Sequence, residues 1–287
     1  MTISGFSFVR NGVLFDYPFV ESLSSILPIC SEFVIAVGNS SDDTLDRIKS
    51  LNNQKIKILE TVWDESIRTG GTILAQQTNI ALRQTSGDWC FYLQADEVMH
   101  EKELPIVQHA MTQYLDDPAV EGLLLNFKHF YGSYRFVGNS RKWYRREIRV
   151  VRNRIGVQSW GDAQGFRKGS RKLNVKQVDA SIYHYGWVKP PNIQQRKQQT
   201  FNRLWHPDSW ISEHVQQGIE YDYSTGGPLA KFTGTHPAVM RKRVEAEDWS
   251  FSYDVSKVKP NLKERILNWL EEKSGYRFGE YKNYVVV

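Results

Sequence analysis

The first hundred residues alternate strand and helix signals at a spacing that leaves few folds open. Ile3 to Val9 is strand-like and ends at Arg10-Asn11-Gly12, a turn signal. Pro18 stands where a first helical turn tolerates it, and Val20, Leu23, Ile26 and Leu27 follow at helical spacing. Phe33 to Val37 is a continuous apolar run, as expected of a strand covered on both faces. It gives way to Gly38-Asn39-Ser40-Ser41-Asp42-Asp43-Thr44, a loop rich in helix-capping residues, before Leu45, Ile48 and Leu51. Ile56 to Leu59 predicts a third strand, Thr72 to Gln84 a third helix and Trp89 to Leu93 a fourth strand. This alternation predicts an α/β fold with a mostly parallel central sheet flanked by helices. In such sheets ligands bind beyond the carboxyl ends of the strands, where Arg10, Asn11, Asn39, Asp42, Gln94 and Asp96 stand.

After Glu97 the pattern loosens: Pro105 to Leu115 reads as a helix, Gly122 to Phe127 as a strand, and Arg149-Val150-Val151 as a short β-like piece. From Ile193 onward the chain is polar and aromatic with few clean periodicities, until Leu262 to Glu272 returns to helical spacing. The expected partition is a domain over residues 1–190 and a helical or irregular C-terminal extension over 191–287. That extension would serve as acceptor side, lid or homodimer surface.

Hydrophobic residues make up 40% of the chain and charged ones 24%, which predicts a packed core rather than disorder. The apolar runs are too short to span a bilayer, and an alternating strand begins at Ile3 where a signal segment would lie. The expectation is a cytoplasmic protein, with peripheral contact at the inner face of a membrane left open. Cys30 and Cys90 both lie in apolar segments and read as buried thiols of a reducing compartment. The net charge of +5 is concentrated between Arg141 and Lys176, where only Glu147 and Asp162 oppose a run of Arg and Lys. Such a strip either attracts phosphates or forms a solvated face.

A carboxylate at a strand end can hold a divalent cation against a diphosphate, because hard cations prefer oxygen ligands; Asp96 is placed for this. Upstream of it lie Gln76-Gln77-Thr78-Asn79-Ile80-Ala81-Leu82 and then Ser86-Gly87-Asp88-Trp89. The succession of strand, Arg-Asn, strand, Ser-Ser-Asp-Asp-Thr, Gln-x-Asn-x-Ala-Leu, Gly-Asp-Trp, strand and Ala-Asp-Glu resembles the inverting glycosyltransferase family 2, with its GT-A (Rossmann-like) fold. The resemblance covers residues 1 to 100 and weakens towards His184. It implies a sugar transferred from a UDP- or GDP-sugar to a glycan or glycolipid acceptor, assisted by Mn²⁺ or Mg²⁺, in the making of a surface glycan. Nucleic acid is not an expected partner.

Carried over residue by residue, the resemblance makes Asp96 the principal metal carboxylate, with Gln94 where the family commonly has a first acid. The acid that commonly closes the second strand and contacts the base falls near Val37 or Gly38, so Arg10, Asn11 and Asn39 become the candidates for that contact. Asp42 and Gln77 join the donor side. Asn79 matches a position facing the donor, or cross-links neighbouring loops; Ser40 and Asp42 also suit helix capping. His184 resembles a late position that supplies a metal ligand or touches the diphosphate; the alternative is a structural hydrogen-bonder. An inverting transfer needs a base for the acceptor hydroxyl. Asp162, in Gly161-Asp162-Ala163-Gln164-Gly165 with Trp160 beside it, is the candidate; the alternative is a loop-capping Asp.

Two other classes fit parts of the sequence. A nucleotidyltransferase would carry a glycine-rich basic loop after the first strand, where Phe8-Val9-Arg10-Asn11-Gly12 has one glycine. A nucleic-acid-binding protein would use the basic strip with Trp143, Tyr144 and Trp160 as stacking platforms, and leaves the ordered motifs of the first hundred residues unexplained.

Overall fold

A computed structural model of the chain describes residues 1–215, 218–256 and 262–287. The first third runs β1 (Ile3–Val9), α1 (Phe19–Ile26), β2 (Glu32–Gly38), α2 (Thr44–Lys49), β3 (Ile56–Thr61), α3 (Thr72–Leu82) and β4 (Trp89–Tyr92). The middle continues through β5 (Glu97–Met99), α4 (Leu104–Gln113), β6 (Gly122–Tyr131), β7 (Ser133–Gly138), β8 (Arg146–Arg152), β9 (Val157–Trp160), β10 (Gly165–Lys168) and the long β11 (Arg171–Trp187). The last third holds α5 (Pro191–Asn202), α6 (Asp208–His214), β12 (Leu229–Lys231), α7 (Arg241–Glu245), α8 (Leu262–Ser274) and β13 (Tyr284–Val286).

One sheet organises these elements in the order β3-β2-β1-β4-β8-β6-β11-β10-β9. The pairs β3–β2, β2–β1 and β1–β4 are parallel; α1 crosses from β1 to β2, α2 from β2 to β3, and α3 carries the chain from β3 back to β4 on the other side of β1. Beyond β4 the sheet is mixed: β8 runs antiparallel to both β4 and β6, while β6 and β11 are parallel. The apolar run of β2 is apolar because both of its faces are covered. Phe33, Ile35 and Val37 pack with Leu23 and Ile26 of α1 and Val107 and Met111 of α4. Val34 and Ala36 pack on the other face with Ile73, Leu74 and Ala81 of α3. Each large side chain so covered contributes about 1.5–3 kcal/mol relative to exposure.

The C-terminal residues return to this sheet. Tyr284 to Val286 pair in parallel with Leu173 to Val175 of β11, and β12 extends the β7 edge. Cys30 and Cys90 are buried free thiols, and burial pushes both up to about 12. No helix among the described residues is long and apolar enough to cross a membrane.

The basic strip is the clearest departure from what the linear sequence suggested. Its charges meet acids from distant parts of the chain: Arg141 and Arg145 pair with Glu271, Arg145 also with Glu280, Arg171 and Lys168 with Glu121, and Arg149 with Glu97. Arg152 is spent on the carbonyls of Tyr114, Leu115, Asp117 and Val120. Glu147, one of the two acids inside the strip, accepts a hydrogen bond from the Gln164 amide at 2.9 Å. Burial, against the charge of Arg149, raises its carboxyl to about 7. Trp143 packs inside an aromatic cluster with Tyr131 and Trp187. The strip is thus a set of separate ties between strands and C-terminal segment rather than a continuous phosphate-attracting face.

Glu32 at the start of β2 fastens three segments at once. It accepts hydrogen bonds from Ser4 Oγ at 2.6 Å, from Ser86 N at 2.6 Å and Ser86 Oγ at 2.7 Å, and from Lys57. Burial alone would raise this carboxyl, but the hydrogen bonds of Lys57, Ser4 and Ser86 outweigh it and hold the group at about 2. The unfolded value is about 4.3. Because the folded value is the lower one, the stabilisation is complete above the unfolded value and is lost as pH falls from about 4.3 towards 2. Denaturant midpoints measured down this range should fall steeply for the wild type and less steeply for Glu32→Gln. Equal slopes would show that Glu32 is not the linked group.

Candidate active site

A cleft of about 810 Å³ opens at the carboxyl ends of β1 and β4. Of the sequence-predicted residues, Arg10, Asn11, Gln94, Asp96, Asp162 and His184 line it. Asn39, Asp42, Gln77 and Asn79 are not among its lining residues and have other partners. Asp42 accepts from the backbone N–H groups of Leu14 and Thr44, tying the two loops after β1 and β2. Asn39 Oδ1 accepts from Trp63 N at 3.1 Å, and Gln77 Oε1 accepts from Thr61 Oγ1 at 2.7 Å. Asn79 exchanges two hydrogen bonds with the backbone of Ser159, at 3.0 and 2.8 Å, and so stitches α3 to β9.

The position of Asp96 is fixed from beneath. Arg149 and Glu97, both fully buried, form a two-pronged ion pair at 2.7 and 2.6 Å. Glu97 Oε2 also accepts from Gln94 N at 3.0 Å, which closes the turn that carries Asp96. Arg149 Nη1 donates to Gln164 O at 2.9 Å, so the same guanidinium holds the Asp162 loop. A third tie runs from the Gln94 amide to Ala163 O at 3.2 Å. Gly71 lets that loop and the end of α5 close in: with φ of +66°, it sits where a Cβ would stand 2.6 Å from Trp205 and 2.9 Å from Asp162.

His184 reaches the cleft from β11 in a defined orientation. His129 Nε2 lies 2.8 Å from Tyr144 O, an acceptor only, so that nitrogen carries a proton. Burial, then the charge of His184, lowers His129 to about 3, which keeps it neutral with a lone pair on Nδ1. His184 Nδ1, 3.0 Å away, must therefore donate to it. With Nδ1 engaged as a donor, an assignment made from the partners, Nε2 of His184 faces Asp96 Oδ2 at 3.6 Å. The separation is too long for a good hydrogen bond. A Cβ at Gly186 would stand 2.6 Å from both atoms, so only glycine permits this convergence.

Asp96 Oδ2 also faces Lys197 Nζ, from α5, at 3.8 Å. Burial would raise the Asp96 carboxyl, but His184, Lys197 and Lys189 outweigh it and hold it well below the usual carboxylate range. Lys197 had no place among the sequence expectations, nor did most of the aromatic walls, Tyr17, Trp63, Trp187, Phe201 and Trp205; Tyr144, expected as a stacking platform for nucleic acid, also lines the cleft. Trp63 had a legible signal, since Trp63-Asp64-Glu65 follows the third strand directly. Its indole N–H is buried without a hydrogen-bond partner beside Gly38, and Arg10 lies 5.5 Å over its ring.

The donor set suits a cation that takes part of its shell from a ligand. Among the described residues no group of three or more His, Cys, Asp or Glu converges. One carboxylate oxygen and one imidazole nitrogen do, in a cradle that a Cβ would fill. Two protein ligands complemented by phosphate oxygens and water fit Mg²⁺ by its habit and Mn²⁺ by its tolerance of nitrogen.

No protein-family model matches the chain, and no curated protein matches it. Among solved structures, S. aureus TarS 1-349 is similar at 14% identity over 70% of this chain and 64% of that one, with a TM-score of 0.39. The same fragment in complex with UDP is similar at 19% identity, over 47% of this chain and 37% of that one, TM-score 0.35. Glucosyl-3-phosphoglycerate synthase from Mycobacterium tuberculosis, in complex with Mn²⁺, UDP and phosphoglyceric acid, is similar at 20% identity, over 45% of this chain and 43% of that one, TM-score 0.30. In the two complexes with UDP the matched region spans less than half of either chain.

Stranding one member of a buried ion pair costs about 3–5 kcal/mol, whereas apolar replacement of both is far milder. Arg149→Met should therefore destabilise the protein by about that amount in urea unfolding, and adding Glu97→Leu should recover most of the loss. Equal stabilities for the single and double variants would refute the pair's role.

Proposed function

We propose that this chain is a glycosyltransferase that moves a sugar from a nucleoside-diphosphate donor to an acceptor hydroxyl with inversion. The observation that carries the reading is the convergence of Asp96, His184, Asp162, Arg10 and Asn11 on one aromatic-walled cleft at the carboxyl ends of parallel strands. These residues come from four separate segments of the chain, at Arg10-Asn11, Asp96, Asp162 and His184.

In this reading Asp96 and His184 would hold a divalent cation together with the donor's diphosphate. When bound, that cation neutralises charge on the departing nucleoside diphosphate. Arg10 and the Trp63 ring take the nucleotide base, the indole offering a flat face. Asp162 takes the proton of the acceptor hydroxyl as its oxygen attacks the anomeric carbon. The bond from that carbon to the diphosphate oxygen breaks, and the leaving group keeps the electron pair. Trp187, Phe201 and Trp205 present apolar faces for sugar rings and exclude water. Residues 191–287 work from the acceptor side, since α5 forms one wall. We take the donor to be a UDP- or GDP-hexose and the acceptor a glycan or glycolipid of a surface polysaccharide, met in the cytoplasm.

A donor screen that follows nucleoside diphosphate release tests this directly; release of pyrophosphate from a nucleoside triphosphate would favour a nucleotidyltransferase instead. Asp96→Asn should abolish the gain in UDP or GDP affinity that Mn²⁺ confers, with the fold retained by circular dichroism. Equal affinity with and without Mn²⁺ in the wild type would remove the cation from the mechanism. Asp162→Asn should lower turnover by about two to four orders of magnitude and leave donor affinity nearly unchanged. Near-full turnover in that variant would place the base elsewhere.

A further inference from the structure

Among the described residues, Lys197 is the one cleft-lining residue that brings a largely buried positive charge up to Asp96 from outside the strand–helix repeat. It stands on α5, and its side chain is only 9% exposed. A buried ammonium needs partners for three N–H donors. One donates to Gly186 O at 2.8 Å. The contact with Asp96 Oδ2, at 3.8 Å, is a charge interaction longer than a hydrogen bond. The rings of Tyr17, Phe201 and Trp187 surround it at 5.1, 5.7 and 5.9 Å, which favours a cation but supplies no acceptor atom to its remaining protons. The ammonium thus keeps donor capacity on the side that meets the cleft.

The other cations lining the cleft are placed differently. Arg10 is bound to Glu65, and Arg68 and Arg203 both to Asp208. Lys197 shares its carboxylate oxygen with the pair that would hold a metal: Oδ2 of Asp96 faces both His184 Nε2 and Lys197 Nζ. A divalent cation and an ammonium drawn to one oxygen repel each other strongly at such range. Only an anion between them reconciles the two, and a diphosphate is that anion.

We propose that Lys197 is a diphosphate-binding residue that serves as the counter-ion of Asp96 until a donor arrives, then passes from the carboxylate to the phosphate oxygens as a cation takes its place. The inference rests on the transferase reading and deepens it, giving the cleft a built-in cation. Two consequences follow. A nucleoside diphosphate binds without metal, through Lys197. A metal without nucleotide binds weakly, because Lys197 competes for Asp96.

The test compares wild type with Lys197→Met, which keeps the stem among the aromatic rings, by calorimetry with UDP and GDP in EDTA and by titration of Mn²⁺ alone. Lys197→Gln, which keeps a donor for the Gly186 carbonyl, replaces it if the Met variant does not fold. The expected result is at least a tenfold loss of metal-free nucleotide affinity together with a severalfold gain in affinity for Mn²⁺ alone. A merely structural lysine would not tighten Mn²⁺ binding. Unchanged values for both ligands, or weakening of both in a variant with wild-type circular dichroism and melting, would overturn the role of Lys197. A wild-type protein that binds neither nucleotide, with or without Mn²⁺, would sink the transferase reading itself.

Discussion

The fully buried Arg149–Glu97 pair is the constraint on which the cleft depends. A guanidinium and a carboxylate with no solvent access are stable together only when nearly every donor and acceptor is used. Here Glu97 spends its spare capacity on Gln94 N, and Arg149 spends its own on the carbonyls of Ile148 and Gln164. Satisfying the charges therefore fixes two loops relative to each other, one carrying Asp96 and the other Asp162. The rings of Tyr92 and Phe127 close over the guanidinium at 5.3 and 4.9 Å and keep water out. The acid that looks like part of a catalytic motif in the sequence is thus a structural anchor, and its neighbour Asp96 is the one presented to the cleft.

A second chain of hydrogen bonds orients the opposite wall. From the Tyr144 carbonyl through His129 to His184, each group determines which nitrogen of the next carries a proton. The result is a single imidazole nitrogen aimed at Asp96. His129 is neutral because it is buried beside another imidazole, and only a neutral ring can accept the His184 proton. Two largely buried side chains, His184 and Lys197, then converge on one carboxylate oxygen of Asp96, with Gly186 leaving the room they need.

The C-terminal segment completes what the strand–helix repeat begins. Strand β13 adds to β11, and Glu271 and Glu280 take up Arg141 and Arg145. Helix α5 contributes Lys197 and Phe201 to the cleft and buries Gln194, Gln195 and Lys197 rather than an apolar stripe. A helix packed against a polar site leaves no 3.6-residue hydrophobic rhythm, which is why the sequence from Ile193 onward looked irregular.

The sequence by itself determined the elements of the first third. Both-face burial of β2 and β4 demands continuous apolar runs, β1 alternates, and crossover helices demand their own period, so β1, β2, β3 and β4 were legible within a residue or two. It also marked the turn with Asp96 and the loop with Asp162, because polar residues at strand ends stand out against apolar strands. What only the tertiary structure decided was which of these residues meet. Asn79 matched a donor-facing motif yet binds the Ser159 backbone, since the strand it meets lies 80 positions further along the chain. The basic strip looked like one charged face because its opposing acids, Glu97, Glu121, Glu271 and Glu280, are remote in sequence. Lys197 left no trace at all, because a lone lysine in a polar helix acquires meaning only when folding buries it 3.8 Å from Asp96. Local periodicity encodes which segments are buried; long-range electrostatic pairing, which no local pattern records, decides what the buried charges do.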